Sequence, residues 1–137
     1  MRGRLLPAAL TALALASAAA VAGANGDALA GVTWIAEDIG GGGVLDSLQS
    51  TLRFEASGRV AGSGGCNRYN GMAKIDGQTL SLGPLATSRK MCAPAIMDQE
   101  RKFLDALAQT KRFEIEGSFL RLFGDEGIAL VRLIKSE

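Results

Sequence analysis

Histidine is absent from the 137 residues of the chain, and aromatic residues make up only 5% of them. Without histidine this sequence cannot supply Ser-His-Asp or Cys-His catalysis, an imidazole metal ligand, or the usual general base near neutral pH. The few aromatic residues provide neither base-stacking platforms nor a lipid-interface belt. The 15 Lys and Arg residues nearly balance the 14 Asp and Glu residues, so charge indicates no nucleic-acid partner. We therefore expect no nucleic acid, no metal and no cofactor.

The beginning of the chain has the pattern of an export signal. Arg2 and Arg4 precede an apolar, alanine-rich run over residues 5–24, which ends in small residues. Residues 22–24 match a cleavage site, and residues 18–20 are a second candidate. An uncleaved membrane anchor is the alternative, since about 20 apolar residues can span a bilayer. Alanine is only weakly hydrophobic, and this favours cleavage.

The leader determines the predicted organisation and location. We predict a signal peptide over residues 1–24 and one domain over residues 25–137, a length typical of a single domain. No cysteine follows the apolar run to accept a lipid. The prediction is a periplasmic or secreted protein that has no stable membrane anchor after cleavage.

Two cysteines, Cys66 and Cys92, are present. An even number in an exported protein favours one disulfide, because the compartment is oxidising. Two buried structural thiols and a redox pair are the alternatives. The chain has no Cys-x-x-Cys motif, and two cysteines without histidine make a poor zinc site.

Short strands and turns dominate the pattern of the predicted domain. Alternation around Leu52 and Phe54 predicts a half-buried antiparallel strand, and Asp76-Gly77 predicts a tight hairpin of type I′. A helix is predicted from Pro94, because apolar residues then recur at helical spacing. The other predicted segments are a frayed terminus (residues 25–31), a glycine loop (40–43) and a polar loop (62–71). Three final strands are predicted over residues 112–115, 119–123 and 128–134. This order predicts an α+β domain with a curved antiparallel sheet and one main helix packed against it.

Charged residues surround the predicted helix. The basic and acidic members are interleaved: Arg89, Lys90, Arg101 and Lys102 with Asp98, Glu100 and Asp105. Such interleaving is typical of a solvated helix face.

The most distinctive stretch of the sequence is Gly65-Cys66-Asn67-Arg68-Tyr69-Asn70-Gly71, and it is followed by Thr87-Ser88-Arg89-Lys90-Met91-Cys92. With Trp34, Gly62, Glu100 and Phe103-Leu104, it resembles the META domain, the HslJ-like family of bacterial heat-shock-associated envelope proteins. The resemblance covers residues 29–136. The spacing from Thr87 to Cys92 is one residue longer than the commoner family pattern.

The resemblance implies a cracked, partly open antiparallel barrel with a helix packed against it, similar to lipoprotein pilots of secretion-system secretins. Members are linked to heat shock, stress response, antibiotic tolerance, motility and secretion, without an established reaction. They are often lipoproteins, but this chain lacks the lipidated cysteine, so anchoring is not carried over. The implied function is non-enzymatic, in stress tolerance or in assembly or secretion of envelope proteins, through protein partners in the envelope.

The candidate site consists of motif residues that either shape a loop or bind a partner: Gly65, Asn67, Arg68, Tyr69, Asn70, Gly71 and Thr87. Asn67 and Asn70 can hydrogen-bond their own backbone in a tight loop. Arg68 can reach an acidic partner or a phosphate, although a solvated or internally paired arginine is the commoner case. Tyr69 is predicted to pack its ring over the barrel end with its hydroxyl bonded. The two glycines permit backbone geometry that other residues avoid.

Two further functions stay open. The first is a carrier that holds a small apolar ligand, such as a lipid acyl chain, inside the curved sheet. The second is an enzyme that uses a thiol of Cys66 or Cys92, or paired carboxylates. Neither kind of group has a positioned catalytic partner in the sequence, so we expect no enzymatic activity.

Overall fold

The computed structural model of the protein describes residues 3–14 and 24–136. Residues 3–14 form no helix or strand, and their side chains are exposed. The cleavage sequence predicted at residues 18–20, and residues 22 and 23 of the other one, lie outside the described residues. Within the described part, no helix is long and apolar enough to cross a membrane.

Nine strands and two α-helices form the described fold. The strands are β1 (Thr33–Ile39), β2 (Thr51–Phe54), β3 (Arg59–Ser63), β4 (Arg68–Asp76), β5 (Thr79–Leu82), β6 (Ala86–Thr87), β7 (Arg112–Glu116), β8 (Phe119–Phe123) and β9 (Ala129–Lys135). The helices are α1 (Ala24–Leu29) and α2 (Pro94–Gln109), and a 3-10 turn spans Asp125–Gly127. The predicted helix at Pro94 and the three final strands are confirmed.

Eight antiparallel strands close into a barrel in the order β3-β2-β1-β9-β8-β7-β5-β4, because β4 also pairs with β3. The nine residues of β4 make this closure. Its first half pairs with β3 and its second half pairs with β5. The shortest junction joins β5 to β7, where Thr79 lies opposite Arg112. The α+β class is confirmed, whereas the expected partly open barrel is not, since β4 is long enough to bridge two neighbours.

Apolar side chains fill the interior of the barrel. Trp34, Phe103 and Phe113 are the largest of the fully buried ones. Helix α2 packs against β1, β5 and β9, and it buries Phe103 and Leu107. The other completely buried leucine and valine side chains are Leu29, Leu52, Val60, Leu80, Leu120, Leu122 and Leu133. Their burial supplies most of the stabilisation, since apolar area removed from water contributes about 25 cal/mol per Å².

The segment before β1 is part of the fold, so the prediction that residues 25–31 fray was wrong. Leu29 is 0% exposed, and its carbonyl accepts a hydrogen bond from the Trp34 indole Nε1 at 3.2 Å. The backbone N–H of Gly31 donates to Phe54 O at 3.0 Å. One leucine in a polar segment was enough to dock it, because its side chain reaches the core.

The hairpin predicted at Asp76-Gly77 joins β4 to β5, with its turn displaced by one residue. Asp76 pairs with Thr79 across the hairpin, so the turn residues are Gly77 and Gln78. Gly77 has φ 58° and Gln78 does not have a positive φ. A type I′ turn needs positive φ at both positions, so that turn type was wrong.

Candidate functional site

The motif lies at one end of the barrel, where β3 turns into β4. Residues 64–67 form the turn, and Arg68 to Gly71 are already in β4. Thr87 lies in β6, opposite Tyr69. The prediction of one loop over residues 62–71 was therefore wrong for both ends, because each end pairs with the other strand of the hairpin.

Asn67 is the polar centre of this turn. It is 5% exposed, and its Oδ1 accepts hydrogen bonds from Lys90 N at 2.6 Å and Ser88 Oγ at 3.0 Å. Its Nδ2 donates to Lys90 O at 3.1 Å and to Glu100 Oε2 at 2.7 Å. The side chain thus joins the turn to the segment before α2. The sequence predicted bonds to its own backbone, and the structure gives it distant partners instead.

Glu100 is buried beneath the turn, with 5% of its surface exposed. Its Oε1 accepts the backbone N–H of Cys66 at 3.1 Å and that of Asn67 at 2.5 Å. The prediction that Glu100 lies on a solvated helix face was wrong. Its spacing from Ile96 and Phe103 was the available signal, since residues three and four apart share one face of a helix.

Gln99 makes a second link from the same turn of α2. Its Oε1 accepts Leu45 N at 2.7 Å, and its Nε2 donates to Ser50 Oγ at 3.1 Å. Ser50 Oγ in turn donates to Gly64 O at 2.7 Å. Two neighbouring helix residues therefore hold the β1–β2 loop and the β3–β4 turn in place.

Cys66 and Cys92 form a disulfide, with their Cα atoms 6.0 Å apart. The predicted pairing is confirmed, and the alternative of two free thiols is wrong for this structure. The bridge connects the same two segments that Asn67 connects through hydrogen bonds. The turn is consequently fixed to the start of α2 both covalently and by the buried amide.

Tyr69 points into the barrel from β4. Its hydroxyl donates to Thr51 O at 2.5 Å, and its ring meets Phe103 edge to face with the centroids 6.2 Å apart. Burial raises the pKa of the phenol above its ordinary value, because the phenolate would lose its hydration. A Cβ at Gly62 would lie 2.1 Å from Thr51 O and 2.8 Å from the Tyr69 hydroxyl oxygen, so this close contact requires glycine.

The two motif glycines have different reasons for lacking a side chain. Gly65 has φ 133°, a backbone conformation that other residues rarely adopt. Gly71 has no positive φ, but a Cβ there would lie 2.8 Å from Leu85 Cδ2. Gly71 therefore allows the segment before β6 to lie closely against β4.

The other motif residues face solvent. Arg68, Asn70 and Thr87 are exposed, while Asn67 and Tyr69 are buried. For Arg68, Tyr69 and Asn70, alternation along β4 explains this division, because successive side chains of a strand point to opposite faces. Asn70 Oδ1 accepts a hydrogen bond from Arg59 Nη1 at 3.4 Å.

Comparison with known proteins connects this architecture to a family. The sequence model of the META domain matches residues 27–137. The chain belongs to the META domain family. No curated protein matches the chain significantly.

The fold of this chain is similar to that of an NMR structure of a protein from Burkholderia xenovorans. The TM-score is 0.68 at 24% identity, over 82% of this chain and 87% of that one. A second NMR structure gives a TM-score of 0.64 at 22% identity, covering 79% and 92% of the two chains. At such identities the similarity concerns the fold.

In the buried half of the META motif, the sulfur, carboxylate and hydroxyl groups are already bonded within the protein. Both sulfur atoms are in the disulfide. The Glu100 oxygens accept three hydrogen bonds from Cys66 and Asn67, and the Tyr69 hydroxyl is held by a backbone carbonyl. The exposed half presents Arg68 and Asn70 to solvent.

Proposed function

We propose that this META-domain protein is exported and acts without catalysis, by binding other proteins of the bacterial cell envelope. Its role would be in stress tolerance or in the assembly or secretion of those proteins. The observation that carries the proposal is the division of the motif into a buried half that fixes the barrel end and an exposed half that is free to contact a partner.

The chemistry of the motif supports a non-enzymatic role. A nucleophile needs an adjacent base, and a general base needs access to a substrate proton. The disulfide removes both thiols. Glu100 is buried and directs its carboxylate at backbone N–H groups rather than at a cleft. These contacts stabilise the fold, and they favour binding over catalysis.

The filled interior favours protein binding over an apolar ligand. A carrier of a lipid acyl chain needs space inside the sheet. In this barrel, fully buried side chains such as Trp34, Phe113 and Leu122 occupy the centre. An acyl chain would have to displace them, at a cost of several kcal/mol for each large apolar side chain that loses its packing.

The proposed location is supported by the leader and the disulfide. Residues 1–24 have the composition of a secretory signal. A disulfide persists in an oxidising compartment and is rare in the bacterial cytosol. Intact-mass measurement of the protein recovered from the envelope fraction tests this part, and retention of residues 1–24 would contradict cleavage.

The binding role is tested in a strain that lacks the gene. We expect reduced survival under heat or envelope-active antibiotics, restored by the full-length protein. A version that begins at residue 25 is the matched control, and it should fail to restore survival because it is not exported. Full rescue by this control would contradict the envelope location. An unaffected deletion strain, together with no protein cross-linked to the exported protein, would contradict the proposed function.

A further inference from the structure

The arginines of the strands and of α2 divide into two groups. Those of α2, β7, β8 and β9 each have a carboxylate oxygen within 4.0 Å: Arg101, Arg112, Arg121 and Arg132. The arginines of β2, β3 and β4 are Arg53, Arg59 and Arg68, and all three are exposed. None of these three forms a salt bridge with any residue in the described part of the chain. Among the strand arginines, those without a salt bridge therefore all lie on β2, β3 and β4, which are neighbours in the barrel.

Two of these arginines flank a groove on that wall. Arg53 lies opposite Ala61, and Arg68 lies opposite Ser63. Ala61 and Ser63 are two residues apart on β3, so their small side chains share the outer face. Strand spacing and rise place the Cα atoms of the two arginines about 12 Å apart, diagonally across β3. The groove has a volume of about 430 Å³.

The hydroxyl groups of the groove are arranged as donors. Thr51 Oγ1 already accepts Ser63 N at 3.0 Å, and Ser63 Oγ accepts Gly65 N at 3.2 Å. Thr33 Oγ1 accepts Arg53 Nη1 at 3.5 Å. Because the oxygens already accept backbone or guanidinium hydrogens, their O–H groups are free to donate outward. The hydroxyls of Thr51 and Ser63 lie between the two arginines, and that of Thr33 lies on the other side of Arg53; donors beside two cations form an environment for an anion.

Asn70 adds to this polarity at the edge of the groove. Its Oδ1 is directed to Arg59, so its amide NH₂ is left to donate to a ligand. Arg89 and Lys90 extend the positive charge beyond Arg68, since Ser88 N donates to Arg68 O at 3.0 Å and brings that segment alongside β4. Arg53, Arg59 and Arg68 place three exposed positive charges on this part of the barrel, although the whole chain carries a net charge of only +1.

We propose that this groove binds an extended acidic segment of a protein partner, with carboxylates seated on Arg53 and Arg68. The proposal rests on the protein-binding function proposed above and names the chemistry of the partner. A span of about 12 Å matches acidic side chains two to four residues apart on an extended chain. The described residues that line the groove include no exposed large apolar side chain. A peptide fits this lining better than a membrane, because a membrane-binding surface inserts apolar groups.

The test is binding of a fluorescently labelled deca-glutamate peptide, measured by fluorescence anisotropy, with deca-glutamine as the uncharged control. We expect the wild-type protein to bind deca-glutamate and not deca-glutamine, and to bind more weakly as salt is added. Arg53→Gln and Arg68→Gln should each weaken binding at least about fivefold, and the double variant at least about 25-fold if the effects are additive. Arg121→Gln removes the same charge from β8 and should change binding less than twofold.

Three outcomes would overturn the proposal. The first is a failure of wild-type protein to bind deca-glutamate, and the second is an equal loss of binding in Arg121→Gln and Arg68→Gln. The third is retention of wild-type protein by phosphatidylglycerol vesicles without binding to the peptide, which would indicate a membrane surface. The unfolding midpoint of each variant shows whether it is folded.

Cross-linking in cells separates this proposal from the proposed function. If the wild-type protein and the Arg53→Gln/Arg68→Gln variant capture the same envelope proteins equally, the groove proposal fails and protein binding stands. If the exported wild-type protein captures no protein, the proposed function itself fails.

Discussion

Replacing Glu100 by glutamine tests whether its buried carboxylate holds the motif turn. The change keeps the shape of the side chain and one acceptor oxygen. That oxygen can still accept the N–H groups of Cys66 and Asn67, but as a neutral acceptor. The new Nε2 must face the Asn67 Nδ2 donor, where Oε2 accepts a hydrogen bond at 2.7 Å. The Asn67 amide cannot simply turn over, because its Oδ1 accepts hydrogen bonds from Ser88 and Lys90.

The magnitude follows from these contacts. A hydrogen bond to a charged group contributes about 1.5–3 kcal/mol, against about 0.5–1.5 kcal/mol for a neutral one. Weakening two bonds therefore costs about 2 kcal/mol, and two opposed donors add about 1–3 kcal/mol. Relief of the desolvation of a buried charge offsets part of this loss. We expect a net destabilisation of about 2–3 kcal/mol, a large share of a typical total of about 5–15 kcal/mol.

Urea unfolding of the disulfide-bonded protein measures this loss. With a urea dependence of about 1–3 kcal/mol per molar, the midpoint should fall by about 0.7–3 M. The amide hydrogens of Cys66 and Asn67 should also exchange faster, which locates the effect in the turn. Asp105→Asn is the matched control, because Asp105 is an exposed carboxylate on the same helix. A Glu100→Gln midpoint equal to that of Asp105→Asn would refute the reasoning.

Three further predictions concern the same end of the barrel. Asn67→Asp should destabilise the fold by more than about 3 kcal/mol, because it places a second buried carboxylate against that of Glu100. The exposed control Asn70→Asp should leave the urea midpoint nearly unchanged. Reduction of the disulfide, which closes a loop of 26 residues, should cost about 3.5 kcal/mol in the chain-entropy model. The double serine variant should then be insensitive to reductant, and an oxidised protein no more stable than the reduced one would contradict the estimate. Tyr69 is the single tyrosine of the chain, and its raised pKa predicts stability that is present below about pH 10 and falls as the pH rises above it, since the unfolded state ionises first. Phenolate absorbance should appear at a higher pH in the native protein than in the urea-unfolded protein. Coincident titrations of the two states, or an unchanged pH dependence of stability in Tyr69→Phe, would exclude this linkage.

Several elements could be predicted because their signals are local. Residues 112–134 alternate apolar and polar side chains between glycine turns, and this pattern gave three strands close to their observed bounds. Pro94 is at the first position of α2, with Phe103 and Leu107 on its buried face. The disulfide was favoured by cysteine number and the leader together, and the structure contains it.

Other features could not be predicted because their partners are distant in the chain. The closure of the barrel depends on β4 pairing with both β3 and β5, and alternation within β4 is the same in an open or a closed sheet. The sequence singled out the motif, but its division into buried and exposed side chains followed only once the start of β4 was known. Hydrogen bonds to residues 21 and 33 positions away decide the role of Asn67.

The sequence by itself determined the family, the helix, the final strands and the cysteine pair, because periodicity, turn residues and motif spacing are properties of neighbouring residues. Only the tertiary structure decided that the barrel closes, that Leu29 is core, and that Glu100 is buried under the motif turn. The physical reason is that spacing can indicate which face of the helix carries Glu100, but it cannot indicate which backbone N–H groups the carboxylate meets there. Those N–H groups come from the β3–β4 turn, and folding alone brings them to the helix.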